Sequence, residues 1–179
     1  MTLRLERVKK KHDRRGFDCG KESLNTFLAR SARQGEKKGG LRTYVLIDDA
    51  NATRVIGYLS LCAGAIEFSS LPAELRKHLP SHRVPTILLA RLAVDERFQG
   101  RGYGHALLIE SFKKAIEAQI SVGVLLFEVD AIDEDALRFY RRYGFVSATS
   151  DPMKLFLPMD TVRGSLEVID QSLESESDL

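Results

Sequence analysis

At 179 residues, 44% of them hydrophobic and 29% charged, the chain has the composition of one water-facing globular domain with room for a sizeable core. No apolar run nears the ~20 residues of a membrane span, and the Lys/Arg-rich start has no apolar stretch behind it to act as a signal peptide. Cys19 and Cys62 make no disulfide framework and His12, His78, His82 and His105 have no ligand spacing, so no metal is expected and the expected address is cytoplasmic.

Thr2 to Val8 alternates polar and apolar residues and reads as an opening strand. Glu22 to Gln34 places Leu24, Phe27, Leu28 and Ala32 at helical spacing, ended by Gly35 and the Lys37-Lys38-Gly39-Gly40 stretch. Leu41 to Ile47 and Arg54 to Ala65 read as a hairpin, Pro72 to His78 as a short helix with Pro72 in its first turn, and Pro85 to Val94 as a buried central strand. His105 to Ile120 is amphipathic, Val122 to Val129 reads as a strand covered on both faces, and Asp133 caps a helix that stops at Gly144. Phe145 to Ala148 and Lys154 to Leu157 close the domain as short strands. Hairpins first and βαβ units later predict a mixed α/β fold, a central sheet with helices on both faces. Residues 1–164 form that single domain, and residues 165–179, acidic and poor in aromatics, are expected to be a disordered tail.

The net charge of +2 conceals a polarised chain. Residues 1–42 hold 13 Lys/Arg against 5 Asp/Glu, whereas residues 165–179 hold five acids and no base. A basic first third implies an anionic partner such as RNA, or else a solvated face.

The most informative stretch is Gln99-Gly100-Arg101-Gly102-Tyr103-Gly104, set between the strand ending at Val94 and the helix beginning near His105. Glycines there let the backbone turn tightly and bring its N–H groups close to a ligand, and the following helix places its positive end at the same point. Strand, loop and helix together predict a pyrophosphate site, although such a loop alone is also an ordinary tight turn. No Lys-Ser or Lys-Thr pair follows the glycines, which excludes a Walker loop, and the third glycine comes one position early for a dinucleotide fingerprint.

A strand, Gln-x-x-Gly-x-Gly (Gln99, Gly102, Gly104), a helix, a strand, and then Ala136, Phe139, Tyr140, Gly144 and Phe145 on a further helix resemble the GNAT superfamily of acetyl-CoA-dependent N-acetyltransferases. Phe17-Asp18-Cys19-Gly20, Leu24-Asn25, Phe27-Leu28 and Ala90 to Val94 resemble its toxin subgroup in bacterial toxin–antitoxin pairs. The resemblance implies an acyltransferase fold whose central parallel strand pair splays apart to admit pantetheine. It also implies acetyl transfer from acetyl-CoA to the α-amine of an aminoacyl-tRNA, a translation-inhibiting toxin, a homodimer and a ribbon-helix-helix antitoxin. Acetylation of a small-molecule amine or protein N-terminus, and a non-catalytic acyl-CoA-binding module, are the alternatives.

By the same resemblance, backbone groups of Leu92, Ala93 and Val94 meet the thioester and pantetheine, residues Gln99, Gly100, Arg101, Gly102, Tyr103 and Gly104 hold the pyrophosphate, and Tyr140 is the general acid. A phenol suits that task because its pKa of ~10 keeps it protonated at neutral pH. Tyr140 also lies on the apolar stripe Ala136, Phe139, Tyr140, Tyr143, so a core role is open. No carboxylate lies on the 86–94 strand, and Glu67 and Glu128 are candidate bases acting through water. Arg101 faces either phosphate or solvent. Arg138, Arg141 and Arg142 either touch an RNA acceptor stem or are plain helix surface.

Overall fold

The computed structural model describes residues 2–177. Its strands are β1 (Leu3–Arg7), β2 (Arg42–Asp48), β3 (Gly57–Ile66), β4 (Val84–Val94), β5 (Leu126–Asp130), β6 (Val146–Ser147) and β7 (Lys154–Pro158), hydrogen-bonded in the order β1-β2-β3-β4-β5-β7-β6. The helices are α1 (Glu22–Thr26), α2 (Ala32–Lys38), α3 (Ala73–Arg76), α4 (Tyr103–Ser121), α5 (Glu134–Arg141) and α6 (Met159–Ser177). The β4 and β5 neighbours are parallel and the remaining pairs with recorded register are antiparallel, so the sheet is mixed. The chain divides into two compact units, one of residues up to 62 with 89–111, the other of 63–88 with residues from 112 onward.

In the first unit, β1 and β2 pair from Leu3–Asp48 to Arg7–Tyr44, and β2 pairs β3 from Arg42–Leu61 to Leu46–Gly57. Leu24, Leu28 and Ala32 pack on Val45, Ile47 and Tyr58, which is the periodicity that the sequence shows. Tyr58 is wholly buried, donates its hydroxyl proton to the Leu24 carbonyl at 2.9 Å, and is raised in pKa by burial. Gly57 opens β3 at a point where a Cβ would stand 2.8 Å from Leu107 of α4 and 2.9 Å from the Ala93 carbonyl.

In the second unit, successive residues of β5 face opposite sides, as a pleated strand requires. Leu126 joins Leu71, Val84 and Phe156, while Phe127 meets Phe112 of α4 at 5.1 Å edge-to-face and Phe145 at 6.1 Å. Both faces of this part of the sheet are therefore covered.

Several boundaries differ from the sequence expectation. The first helical segment runs through Gly35 to Lys38, with a π-helical turn at Phe27–Ser31, and ends where Gly39 adopts φ +79°. Gly35 lies against Leu41, so its lack of a Cβ serves packing and not termination. Pro72 is the N-cap of α3 and not part of its first turn. The strand expected at Val122 begins at Leu126, because α4 continues to Ser121 and the Gln119 side chain ties the connector through the Val124 carbonyl at 2.8 Å. Residues up to 177 of the expected tail continue α6, where Met159, Val162, Leu166 and Ile169 recur at helical spacing and the first two are buried; residues 178–179 lie outside the described residues. Among the described residues no helix is long and apolar enough to cross a membrane.

Gly57→Ala should lower stability by ~1–3 kcal/mol, the usual cost of overpacking, because the backbone carbonyl of Ala93 cannot swing aside. An unchanged melting temperature would show that this close approach is unimportant.

Candidate active site

The end of β4 is fixed by a buried carboxylate. Asp95 is 1% exposed and its backbone N–H donates to the Ile56 carbonyl at 2.9 Å. Its side chain accepts from Arg97 Nε at 2.8 Å, Arg97 Nη2 at 2.7 Å, the Arg97 backbone N–H at 3.0 Å and the Asp18 backbone N–H at 3.2 Å. Burial alone would raise this carboxyl, but the hydrogen bonds and charge of Arg97 outweigh it and hold Asp95 below the ordinary aspartate range. Asp95 thereby caps the 3₁₀ turn Glu96–Phe98, and the Glu96 N–H donates to the Asp18 carbonyl at 2.8 Å.

Gln99 continues the fastening. Its amide nitrogen donates to the Val94 carbonyl at 2.9 Å and the Cys19 carbonyl at 3.2 Å, pinning the loop both to the strand it leaves and to the segment after Phe17. Gly100 and Gly102 then adopt φ +73° and +80°, a left-handed backbone that side chains disfavour. A Cβ at either position would meet nothing within 4 Å, so the requirement is torsional and open space lies beside the loop. The Ala106 N–H closes the first turn of α4 on the Gly102 carbonyl at 3.0 Å, and no acid lies in that turn. The positive end of a 19-residue helix therefore adjoins the glycines with no carboxylate of its own first turn to neutralise it. This arrangement fits a pyrophosphate.

Leu92, Ala93 and Val94 form the last residues of β4; Ala93 is buried and its neighbours are half-buried. Arg101 extends over the Phe98 ring, 5.7 Å from its centroid, and Tyr103 meets Phe98 edge-on at 6.4 Å. Cys19 is buried with its thiol against the Asn25 side chain at 3.2 Å, while Cys62 is half-buried. Among the described residues no group of His, Cys, Asp or Glu is placed to hold a metal ion.

In the second unit, Asp133 caps α5 by accepting from the Ala136 N–H, and Tyr140 follows two turns on with its ring 5.3 Å from Phe139 and 5.5 Å from Phe145. The residue is 6% exposed, yet among the described residues no hydrogen bond reaches its hydroxyl. Burial raises its pKa, so the phenol stays protonated. The core reading therefore holds for the ring, while among the described residues the hydroxyl has no protein partner. Tyr143 packs on Phe139 at 5.1 Å.

The candidate bases fare differently. Glu128 is buried and engaged on both oxygens, by the Thr86 hydroxyl at 2.6 Å and by Lys154 Nζ at 2.9 Å, with Asp130 also on Lys154 at 2.8 Å. Gly64 makes room for this cluster, since a Cβ there would stand 2.4 Å from the Thr86 hydroxyl. Glu67 is exposed, 3.8 Å from Arg83. The arginines of α5 also have local partners: Arg138 pairs with Asp135, Arg141 donates to Ser147 at 3.3 Å, and Arg142 lies over Phe139. Sequence reasoning missed Asp95, Gly57 and the side-chain role of Gln99. Only the Asp three residues before Phe98, followed two on by Arg, offered a signal.

Residues 39–147 match the family described as an acetyltransferase (GNAT) domain. A tRNA-acetylating toxin of Mycobacterium tuberculosis is 34% identical over 157 residues, 88% of this chain and 92% of that protein. A crystal structure of a tyrosine-to-phenylalanine mutant of KacT is 31% identical at a TM-score of 0.85, covering 92% of this chain and 99% of that one. AtaT complexed with acetyl-methionyl-tRNAfMet is 30% identical at 0.83, covering 94% and 99%. A tyrosine-to-phenylalanine mutant of AtaT bound to the C-terminus of the antitoxin AtaR and acetyl-CoA is 28% identical at 0.78, covering 92% and 98%. The chain belongs to the GNAT acetyltransferase family.

Asp95→Asn should cost ~1.5–3 kcal/mol at neutral pH, the range for a hydrogen bond to a charged group. A carboxyl held below its unfolded value stabilises the fold above that unfolded value, near ~3.9, and the contribution is lost as pH falls through the folded value. The gap in unfolding free energy between wild type and variant should therefore close below about pH 4; a gap independent of pH would contradict the ionised clamp.

Proposed function

We propose that this protein transfers acetyl from acetyl-CoA to the α-amine of an aminoacyl-tRNA and so acts as a translation-inhibiting toxin of a toxin–antitoxin pair. The observation that carries the reading is the left-handed glycine loop Gly100–Gly104 feeding the acid-free N-terminus of α4 in a chain of the GNAT family. The acceptor assignment is supported by the tRNA-acetylating relative, which matches nearly nine-tenths of the chain, and by the acetyl-methionyl-tRNA held by AtaT.

The residues divide the work as follows. Gln99 holds the loop; Gly100, Arg101, Gly102, Tyr103 and Gly104 take the diphosphate of acetyl-CoA; and backbone groups of Leu92, Ala93 and Val94 take pantetheine and the thioester. A backbone N–H near Leu92 polarises the thioester carbonyl, a contact worth roughly 3 kcal/mol once the oxyanion forms. Attack by the amine makes the C–N bond, collapse of the tetrahedral intermediate breaks the C–S bond, Tyr140 donates its proton to the departing thiolate, and the proton shed by the amine nitrogen passes through water to restore the phenol. The unpartnered Tyr140 hydroxyl supports that role, as does the choice of tyrosine-to-phenylalanine mutants in KacT and AtaT. An α-amine, with a pKa of ~7.7–8.0, is partly neutral at pH 7 and does not need the carboxylate that Glu128 has committed elsewhere. A ribbon-helix-helix antitoxin, a homodimeric assembly and a cytoplasmic address complete the proposal, and the AtaT–AtaR complex supports the first.

Labelled acetyl-CoA incubated with charged tRNA, uncharged tRNA and small amines should mark only the charged tRNA. Tyr140→Phe should lower kcat by ~10²-fold or more with acetyl-CoA affinity retained. Because burial raises that phenol, the wild-type rate should show no alkaline fall below its ordinary value of about 10. Label on small amines alone would overturn the acceptor, and full activity in Tyr140→Phe would remove the phenol from the reaction.

A further inference from the structure

Acyl transfer as proposed leaves one buried polar cluster without a task. Glu128 of β5 and Thr86 of β4 are both buried within the sheet. The Thr86 hydroxyl donates to Glu128 Oε2 at 2.6 Å, and Lys154 Nζ of β7 donates to Glu128 Oε1 at 2.9 Å and to Asp130 at 2.8 Å. In the β5–β7 ladder Asp130 stands opposite Lys154 and Glu128 opposite Phe156, so the ammonium reaches Glu128 diagonally along one face. Three strands are thus joined by one side-chain brace. Gly64 of β3 gives it room, since a Cβ there would come within 2.4 Å of the Thr86 hydroxyl and 3.1 Å of Glu128 Oε2.

Stability alone does not account for such a brace. A buried ion pair loses much of its Coulomb energy to desolvation, and well-packed apolar side chains in its place are often as stable. What the brace adds is a fixed register and spacing, because its hydrogen bonds tolerate little displacement. Burial would lower the Lys154 ammonium, but its hydrogen bonds to Asp130 and Glu128 hold it above the ordinary lysine value, so it stays charged at neutral pH.

The other face of β5 leads towards the reaction. Successive side chains of a strand alternate, so Phe127, next to Glu128, points the opposite way and is wholly buried against Phe112 and Phe145. Phe145 in turn lies 5.5 Å from the Tyr140 ring. Among the described residues no hydrogen bond fixes the Tyr140 hydroxyl, so ring packing sets its place. We propose that Glu128, held by Thr86 and Lys154, is a positioning residue that fixes β5 and, through Phe127 and Phe145, the place of the Tyr140 hydroxyl. The inference rests on Tyr140 acting as the general acid only for its effect on rate. Misplacing a reacting group by ~1 Å can cost ~100-fold, so small shifts of the strand matter.

The test reads position and rate separately in the full chain. Fluorotyrosine is placed at position 140 alone and followed by fluorine NMR, while kcat and KM for acetyl-CoA are measured on charged tRNA with and without Tyr140→Phe. Thr86→Val removes the donor at nearly constant volume, Glu128→Gln removes the charge, and Thr86→Ser keeps the hydroxyl. Thr43→Val, which deletes the buried hydrogen bond between the Thr43 and Ser60 hydroxyls in the other unit, is the control. Thr86→Val and Glu128→Gln should shift or broaden the fluorine resonance and lower kcat about tenfold or more, with KM for acetyl-CoA unchanged. In Tyr140→Phe they should lower the rate no further, as coupled sites require. Thr86→Ser should stay near the wild-type resonance and rate, and Thr43→Val should leave both unchanged. Circular dichroism checks folding, and where Glu128→Gln unfolds, the Thr86 variants decide. A resonance unmoved by Thr86→Val overturns the proposal, as does an equal loss of rate with and without the phenol. A resonance that moves while Tyr140→Phe keeps full activity, or while the wild type acetylates no charged tRNA, would sink the acid or the acceptor reading and leave the brace standing.

Discussion

The buried carboxylate of Asp95 sets the direction in which the chain leaves β4. Four donors converge on it, three from Arg97 and one from the backbone of Asp18, so the strand end, the 3₁₀ turn and the segment after Phe17 are held as one piece. A buried charge is costly unless paired and hydrogen-bonded, and here it is both. Gln99 adds a second fastening a few residues on. Only after these two clamps does the backbone enter the left-handed torsions of Gly100 and Gly102. The hydrogen bonds of Asp95 and Gln99 thus set where the loop begins and where the positive end of α4 points.

The two buried tyrosines show how packing and chemistry separate. Tyr58 and Tyr140 are both enclosed by aromatic neighbours, and burial raises both phenols. Tyr58 gives its proton to the Leu24 carbonyl and is complete as a core residue. Tyr140 has no protein partner on its hydroxyl among the described residues, so its ring packs while its polar end is left over from the packing. Glu128, engaged by Thr86 and Lys154 on its two oxygens, is by contrast fully occupied within the sheet.

Much of this was legible in the chain. Periodicity placed β1, β2, β4, α4 and α5 because each buries a face whose spacing is fixed by strand or helix geometry. The glycine loop was legible because positive φ leaves glycine as the natural choice. The tail was misjudged because acidic composition hid the stripe from Met159 to Ile169. The start of β5 was misjudged because a continuous apolar run carries no period to mark where helix ends and strand begins. Gly57 was invisible, and Asp95 left only the nearby Arg97 as a trace, for a different reason: each owes its importance to partners that the fold brings from elsewhere, Asp18 for one, Ala93 and Leu107 for the other.

In the function proposed above, the glycine loop and α4 hold the diphosphate of a coenzyme A thioester. Calorimetric titration of the wild-type protein with acetyl-CoA, set beside acetyl-pantetheine, which carries the same thioester without the nucleotide or its phosphates, measures that contribution directly. The account predicts clear binding of acetyl-CoA and an affinity for acetyl-pantetheine lower by at least about two orders of magnitude, from the loss of charge-assisted hydrogen bonds worth ~1.5–3 kcal/mol each. Equal affinities for the two, or no binding of acetyl-CoA, would contradict it.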